Sequence, residues 1–374
     1  MSCLGKDIAK LGFGFMRLPT VGTTQEIDMD QVCKMVDLFL ERGFTYFDTA
    51  YVYHGGQSEV ALRRALVERH PRESFTVATK MPFFDMKDPA QVEEYFNTSK
   101  DRMGVEYFDF YLLHNLSEAS ISKAEEMGAW DFLRKKKEQG VIRHLGFSSH
   151  AKPEQIDDIL TRHPEAEFIQ LQINYMDWEN EKIKSRECYE VARKHDKPIV
   201  IMEPIKGGFL ASLTDEIREL FAATGSGNTP ASLALRFCAE LDGIITVLSG
   251  MSTLEQVEQN TAMMQNWKPL NDTEKKALDK AVKIIESHPR VPCTNCKYCM
   301  EVCPQEIKIP SIISILNDYE AYGQAEVIKK GYGMRVGPKG KASECVHCAT
   351  CEQQCPQHIG ISEVMEKAAG IFEG

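Results

Sequence analysis

The chain has 374 residues, with 44 Lys or Arg against 55 Asp or Glu and a formal charge of −11. Hydrophobic residues at 43% and charged residues at 26% exclude a disordered or low-complexity chain. So acidic a chain is a poor general binder of phosphate backbones, and no apolar run approaches the roughly 18 residues that span a bilayer, so neither nucleic acid nor a membrane is expected as a partner. The opening MSCLGKDIAKLG has no apolar signal core, which makes the cytoplasm the expected location.

Up to about Trp267, short apolar segments alternate with amphipathic ones. In chain order the predicted pairs are strand Leu11–Gly14 with helix Asp30–Arg42, then Thr45–Asp48 with Ser58–Arg69, and Phe75–Lys80 with Ala90–Met103. Phe108–Leu113 with Glu126–Gln139, His144–Phe147 with Pro153–Thr161, and Phe168–Ile173 with Glu181–His195 follow. Ile199–Glu203 with Pro230–Ala239 and Ile244–Leu248 with Leu254–Met264 complete the series. Strict alternation implies a parallel sheet with right-handed crossovers. Eight units in this length suit a TIM (β/α)8 barrel, which takes about 250 residues. A doubly wound open sheet is the alternative, but no GxGxxG joins an early strand to a helix. The predicted division is a barrel over 1–267, a linker over 268–292 with a helix at Glu274–Glu286, and a small, mainly helical module over 293–374.

Barrel chemistry sits at the C-terminal ends of the strands. Asp48 and Tyr53 follow the second strand, Lys80 ends the third and His114 follows the fourth. An ammonium beside a phenol stabilises the phenolate, so Lys80, held by Asp48, would ready Tyr53 as a general acid while His114 orients a carbonyl oxygen. Singly, each residue has an ordinary structural explanation, and Tyr51 is a decoy for Tyr53. The four together favour catalysis. Trp130 and Trp267 read as packing, whereas Trp178, after the sixth strand, could lie on the rim or in the core.

The segments FDTAYVY, ATK and DFYLLH resemble the tetrad segments of the aldo-keto reductase superfamily. That resemblance, which covers essentially Leu11 to Met264, implies a TIM barrel and nicotinamide-dependent reduction of a small carbonyl substrate. It implies cofactor contacts from Ser148 and Ser149 after the fifth strand, from Gln170 on the sixth, and from Met202, Ile205, Gly208 and Leu210 around the seventh. It further implies contacts from Ser249, Gly250, Gln256 and Asn260 around the eighth. Ser149 stands where the family often has Asn, and Met202 where many members stack a tyrosine. Gly250 and Gln256 stand where users of NADPH place cations, so an uncharged pair modestly favours NADH over NADPH.

Of twelve cysteines, Cys3, Cys33, Cys188 and Cys238 are scattered, the last three reading as packing residues of predicted helices, and eight lie after position 290. Cys293, Cys296, Cys299 and Cys303-Pro304 form a CxxCxxCxxxCP run, repeated by Cys345, Cys348, Cys351 and Cys355-Pro356. This is an iron–sulfur pattern in which the fourth cysteine ligates the other cluster. On that rule one [4Fe-4S] cluster takes Cys293, Cys296, Cys299 and Cys355, and the second takes Cys345, Cys348, Cys351 and Cys303. Structural zinc, the alternative, favours separated ligand pairs. His347 is expected beside the site, not as a ligand. A helix is predicted at Ser311–Tyr322 and a glycine-rich return at Gly331–Gly340. The region resembles an α-helical ferredoxin module, and the whole chain resembles bacterial aldo-keto reductases with a C-terminal ferredoxin domain. Three functions follow in order of weight: a carbonyl reductase, a reductase exchanging electrons with a ferredoxin or flavoprotein partner, and a non-enzymatic redox or cofactor sensor.

Overall fold

The computed structural model describes residues 4, 7–22, 26–83, 86–225, 227–287, 290–322, 325–337 and 339–373, so Cys3 lies outside the described residues. Eight parallel strands close into a barrel in sequence order. They are β1 (Leu11–Gly14), β2 (Tyr46–Asp48), β3 (Thr76–Met81), β4 (Phe108–Leu116), β5 (Ile142–Ser149), β6 (Phe168–Gln172), β7 (Ile199–Met202) and β8 (Ile244–Ser249). The barrel closes through Leu11, Gly12 and Phe13 of β1 against Val247, Leu248 and Ser249 of β8. Both faces of each strand are covered, which is why they read as apolar runs without alternation. The lumen holds Tyr46, Ala78, Phe110, Leu112, Phe168, Val200, Ile245 and Leu248 as one buried cluster.

The outer helices depart from expectation at three places. The predicted Ser58–Arg69 helix is α-helical only over Gln57–Leu62 and widens to a π-turn over Arg63–Val67. An additional helix, Glu118–Glu126, precedes Ala129–Glu138, the two separated at Gly128 by left-handed backbone. The helix after β6 starts only at Ser185. Trp178 packs against Tyr189 and Phe237 with ring centroids 5.6 Å from each.

The chain forms two compact units whose boundary does not follow the linear division expected above. The first comprises Met1–Asn180, Lys184–Ile205 and Asn228–Asp272, and contains the barrel. The second comprises Glu181–Ile183, Lys206–Gly227 and Thr273–Gly374. Segment Lys206–Gly227, which directly follows β7 and Ile205 in the chain, therefore belongs with the cysteine-rich region. Within the second unit, Lys206 Nζ donates to Gln357 Oε1 at 2.8 Å, and a Cβ on Gly207 would lie 2.6 Å from the Thr294 carbonyl oxygen. The second core gathers Ile307, Ile309, Ile312, Ile313, Tyr332, Val336, Ile361 and Met365. Helices Ile309–Tyr322, Ala325–Val336 and Ile361–Phe372 build it. The glycine-rich return expected at Gly331–Gly340 is mostly the end of the second of these, since Gly331 and Gly333 sit inside that helix. Among the described residues no helix is long and apolar enough to cross a membrane.

Candidate active site and cysteine sets

Inward side chains of a barrel strand recur every second residue. Two positions above the lumen residues Tyr46, Ala78 and Leu112 stand Asp48, Lys80 and His114; two above Gly146 and Phe168 stand Ser148 and Gln170. The polar groups thus rest on an apolar floor in which Tyr46 and Phe168 lie 5.2 and 5.0 Å from Phe110.

Lys80 Nζ donates to Asp48 Oδ1 at 2.5 Å and to the Thr49 carbonyl at 2.7 Å. The same nitrogen lies 5.1 Å from the Tyr53 ring centroid, and the Tyr53 and His114 rings meet edge-on at 5.8 Å. The four residues expected to cooperate are therefore brought together. Burial raises the Asp48 carboxyl, against the pull of Lys80, and lowers the Lys80 ammonium, against the pull of Asp48. Burial, then Lys80 and His150, hold His114 well below the ordinary histidine range, so its imidazole is neutral near pH 7. Tyr51 is engaged elsewhere, stacked on Tyr95 at 4.6 Å.

Of the Ser-Ser pair, Ser148 Oγ accepts from the Asn115 N–H, which leaves its hydroxyl hydrogen to donate. Ser149 is different: its hydroxyl donates to the Leu116 carbonyl and accepts from the Ala151 N–H. Gln170 is 2% exposed, and its Oε1 is buried without a hydrogen-bond partner. An orphaned amide oxygen of this kind marks a place for an absent polar group. Met202 and Ile205 are half-buried in the first unit, while Gly208 and Leu210 belong to the second. Ser249 accepts from Asn260 Nδ2 at 3.3 Å, and the exposed Gln256 accepts from the Ser252 N–H at 2.7 Å. The Arg17 side chain runs beside Gly250, its Cδ 3.4 Å from where a Cβ there would stand.

Sequence reasoning missed a buried polar chain above β5 and β6. His150 Nδ1 meets Gln172 Oε1 at 3.1 Å, Gln172 Nε2 donates to Asp177 Oδ2 at 2.8 Å, and Asn174 Nδ2 donates to the same oxygen at 2.7 Å. The available signal was the two-residue period, since His150 and Gln172 are the next inward positions after Ser148 and Gln170.

In the second unit, Cys303, Cys345, Cys348 and Cys351 line one cavity, with Ile307, Ile309, Ile361 and Met365 as its apolar wall. The Cys351 thiol is pushed up to about 11 by burial, then by Glu352 and the sulfurs of Cys303, Cys345 and Cys348. Burial pushes the Cys299 thiol up, and Cys296, Cys293 and Cys355 act on it next, followed by Cys351. Cys303 thus sits with the cysteines of the second run, and Cys355 is among the sulfurs that act on Cys299. These cysteines are free of disulfides among the described residues, as thiolate ligands of a cluster must be.

Comparison with known proteins agrees with this geometry. The Aldo/keto reductase family model matches residues 10–283, nearly three quarters of the chain, and a 4Fe-4S dicluster domain model matches residues 292–359. The chain is 26% identical over 291 residues to a probable aldo-keto reductase of Glycine max, covering 68% of this chain and 81% of that one. It is 24% identical over 288 residues to the NADH-specific methylglyoxal reductase of Escherichia coli (strain K12), covering 63% and 84%. It resembles the solved holo form of an aldo-keto reductase from Bacillus halodurans with TM-score 0.59 and 26% identity, covering 73% of this chain and 92% of that one. The chain belongs to the aldo/keto reductase family and is an oxidoreductase with a C-terminal iron–sulfur domain.

Proposed function

We propose that this aldo/keto reductase reduces an aldehyde or ketone, with Tyr53 as the proton donor. The observation that carries the reading is the buried pair of Lys80 and Asp48 at 2.5 Å, with the ammonium 5.1 Å from the Tyr53 ring. A reduced nicotinamide, when bound, supplies the hydride. The orphaned Gln170 Oε1 and the Ser148 hydroxyl suit its carboxamide, as acceptor and donor. Tyr53 gives its phenolic proton to the substrate oxygen as charge develops there. The Lys80 ammonium lowers the cost of the resulting phenolate, and Asp48 keeps that ammonium in place. Neutral His114 donates an N–H to the same oxygen. Gly250 and Gln256 bring no cation to a 2′-phosphate, which favours NADH, and the E. coli relative is named for NADH specificity.

The two cysteine groups suit two [4Fe-4S] clusters, one on Cys293, Cys296, Cys299 and Cys355 and one on Cys303, Cys345, Cys348 and Cys351. Such clusters supply single-electron steps, which hydride transfer does not need. A second reading therefore stands beside the first, in which the enzyme also exchanges electrons with a carrier protein. One anaerobic preparation tests both. Tyr53→Phe should abolish NADH-dependent reduction of 4-nitrobenzaldehyde; undiminished turnover would overturn the proton-donor role. Bleaching of the cluster absorbance by NADH would favour the redox-linked reading, and clusters that stay oxidised during turnover would make them structural or partner-facing, which reduction by an added ferredoxin or flavoprotein then separates.

A further inference from the structure

We infer that Arg102 is a positioning residue for Tyr53, bracing the loop that carries the tyrosine. The inference rests on the proton-donor reading of Tyr53 given above. The loop after β2 turns through left-handed backbone at three successive residues, His54 (φ 51°), Gly55 (φ 60°) and Gly56 (φ 87°). A histidine does not favour that conformation without outside support. The support comes from the last turn of the helix Ala90–Met103. Arg102 Nη1 donates to the Tyr51 carbonyl at 3.1 Å and to Glu59 Oε2 at 3.3 Å. The face of the guanidinium covers the Tyr51 ring at 4.3 Å, and Tyr51 in turn stacks on Tyr95 of the same helix. The guanidinium also fills the space beside Gly56, where a Cβ would lie 2.8 Å from Nη2.

The far end of the brace is anchored next to Lys80. Glu59 is fully buried, and its Oε1 accepts from Thr79 Oγ1 at 2.7 Å. Thr79 immediately precedes Lys80 on β3. One carboxylate therefore joins the helix after the loop to the strand that presents the lysine, and Arg102 joins both to the loop that presents the tyrosine. The device fixes the spacing between the proton donor and the cation that eases its ionisation. A lysine at 102 would keep the charge but could not donate along two directions, cover a ring and pack on Gly56 at once.

The test uses the full chain with its clusters, 4-nitrobenzaldehyde with NADH as the probe reaction, and peptide-resolved hydrogen exchange over residues 49–62. Arg102→Ala and Arg102→Lys should lower kcat by roughly 10- to 100-fold, the range expected when a reacting group is misplaced by about an ångström. The KM for NADH should stay within about twofold, because uniform cofactor binding is untouched. Exchange over the Tyr51–Gly56 loop should rise in both variants. Millimolar guanidinium ion should restore kcat and exchange protection in Arg102→Ala. Unchanged kcat with unchanged exchange would overturn the brace, as would a loss that guanidinium does not reverse in a variant retaining its iron. Should Arg102→Ala fail to fold, Arg102→Lys carries the same comparison. Should the wild type not reduce the probe, the exchange arm and its reversal by guanidinium decide alone. Tyr53→Phe separates the two claims: full activity in that variant removes the proton-donor reading, whereas inactivity beside silent Arg102 variants removes only the brace.

Discussion

Lys80 Nζ lies 2.5 Å from Asp48 Oδ1, with only 1% and 3% of the two side chains exposed. Each charge is tolerable only because of the other. Asp48→Asn or Lys80→Met alone should therefore cost about 3–5 kcal/mol of stability by leaving one buried charge without its partner. The double variant should be more stable than the sum of the singles predicts. Its carbonyl reduction should nevertheless be as slow as that of Lys80→Met, because the tyrosine has lost its cation. Denaturant unfolding of the three variants checks the first claim, and turnover checks the second. Additive losses would mean that the pair is not coupled.

His114 makes a prediction about pH. Burial first, then Lys80 and His150, depress its pKa in the folded protein. Unfolded, it takes a proton below about pH 6.5, where the folded protein resists one. Stability from this residue is therefore complete above that pH and declines as pH falls below it. His114→Phe should show a flatter loss of stability between about pH 6.5 and 5 than the wild type in urea titrations at fixed ionic strength. A steeper loss would contradict the depressed pKa.

The alternation of β and α segments made the barrel legible from sequence, because strands buried on both faces are short apolar runs and the tetrad falls at their ends. Positions at which tertiary contacts override local pattern were not legible. Gly331 and Gly333 read as turn formers, yet they lie within a helix whose Tyr332 and Val336 are buried in the second core. Ser149 directly follows Ser148 in sequence, and nothing local foretold that its hydroxyl donates to the Leu116 carbonyl, 33 positions away. The membership of Lys206–Gly227 in the second unit had no local signal, since contacts such as Lys206 with Gln357 span 151 positions of sequence.

The residues around β8 offer a test of cofactor preference. Gln256 accepts from the Ser252 N–H, and Arg17 runs beside Gly250. Gln256→Arg should add a cation able to pair with a 2′-phosphate and should shift kcat/KM toward NADPH by about tenfold, the worth of one charge-assisted hydrogen bond. Arg17→Ala should leave NADH kinetics unchanged and weaken whatever NADPH use the wild type has. Wild-type preference for NADPH, lost in Arg17→Ala, would show that this arginine supplies the cation missing from the eighth-strand segment.

Whether the cysteines ligate their clusters across the two runs can be measured. Cys303 follows Cys299 closely in sequence, but it shares its cavity with Cys345, Cys348 and Cys351. Cys355 completes the run of Cys351, but it acts on Cys299. If the groups are ligand sets, Cys303→Ala and Cys351→Ala disturb one and the same cluster, and Cys355→Ala and Cys299→Ala disturb the other. Each variant should fall from about eight irons per chain toward about four when purified anaerobically. The electron paramagnetic resonance spectrum of the dithionite-reduced remainder should then match within each crossed pair and differ between pairs. Matching spectra for Cys303→Ala and Cys299→Ala would mean that each run ligates its own cluster. Such a result would reverse the assignment of Cys303 and Cys355 while leaving the six remaining ligands in place.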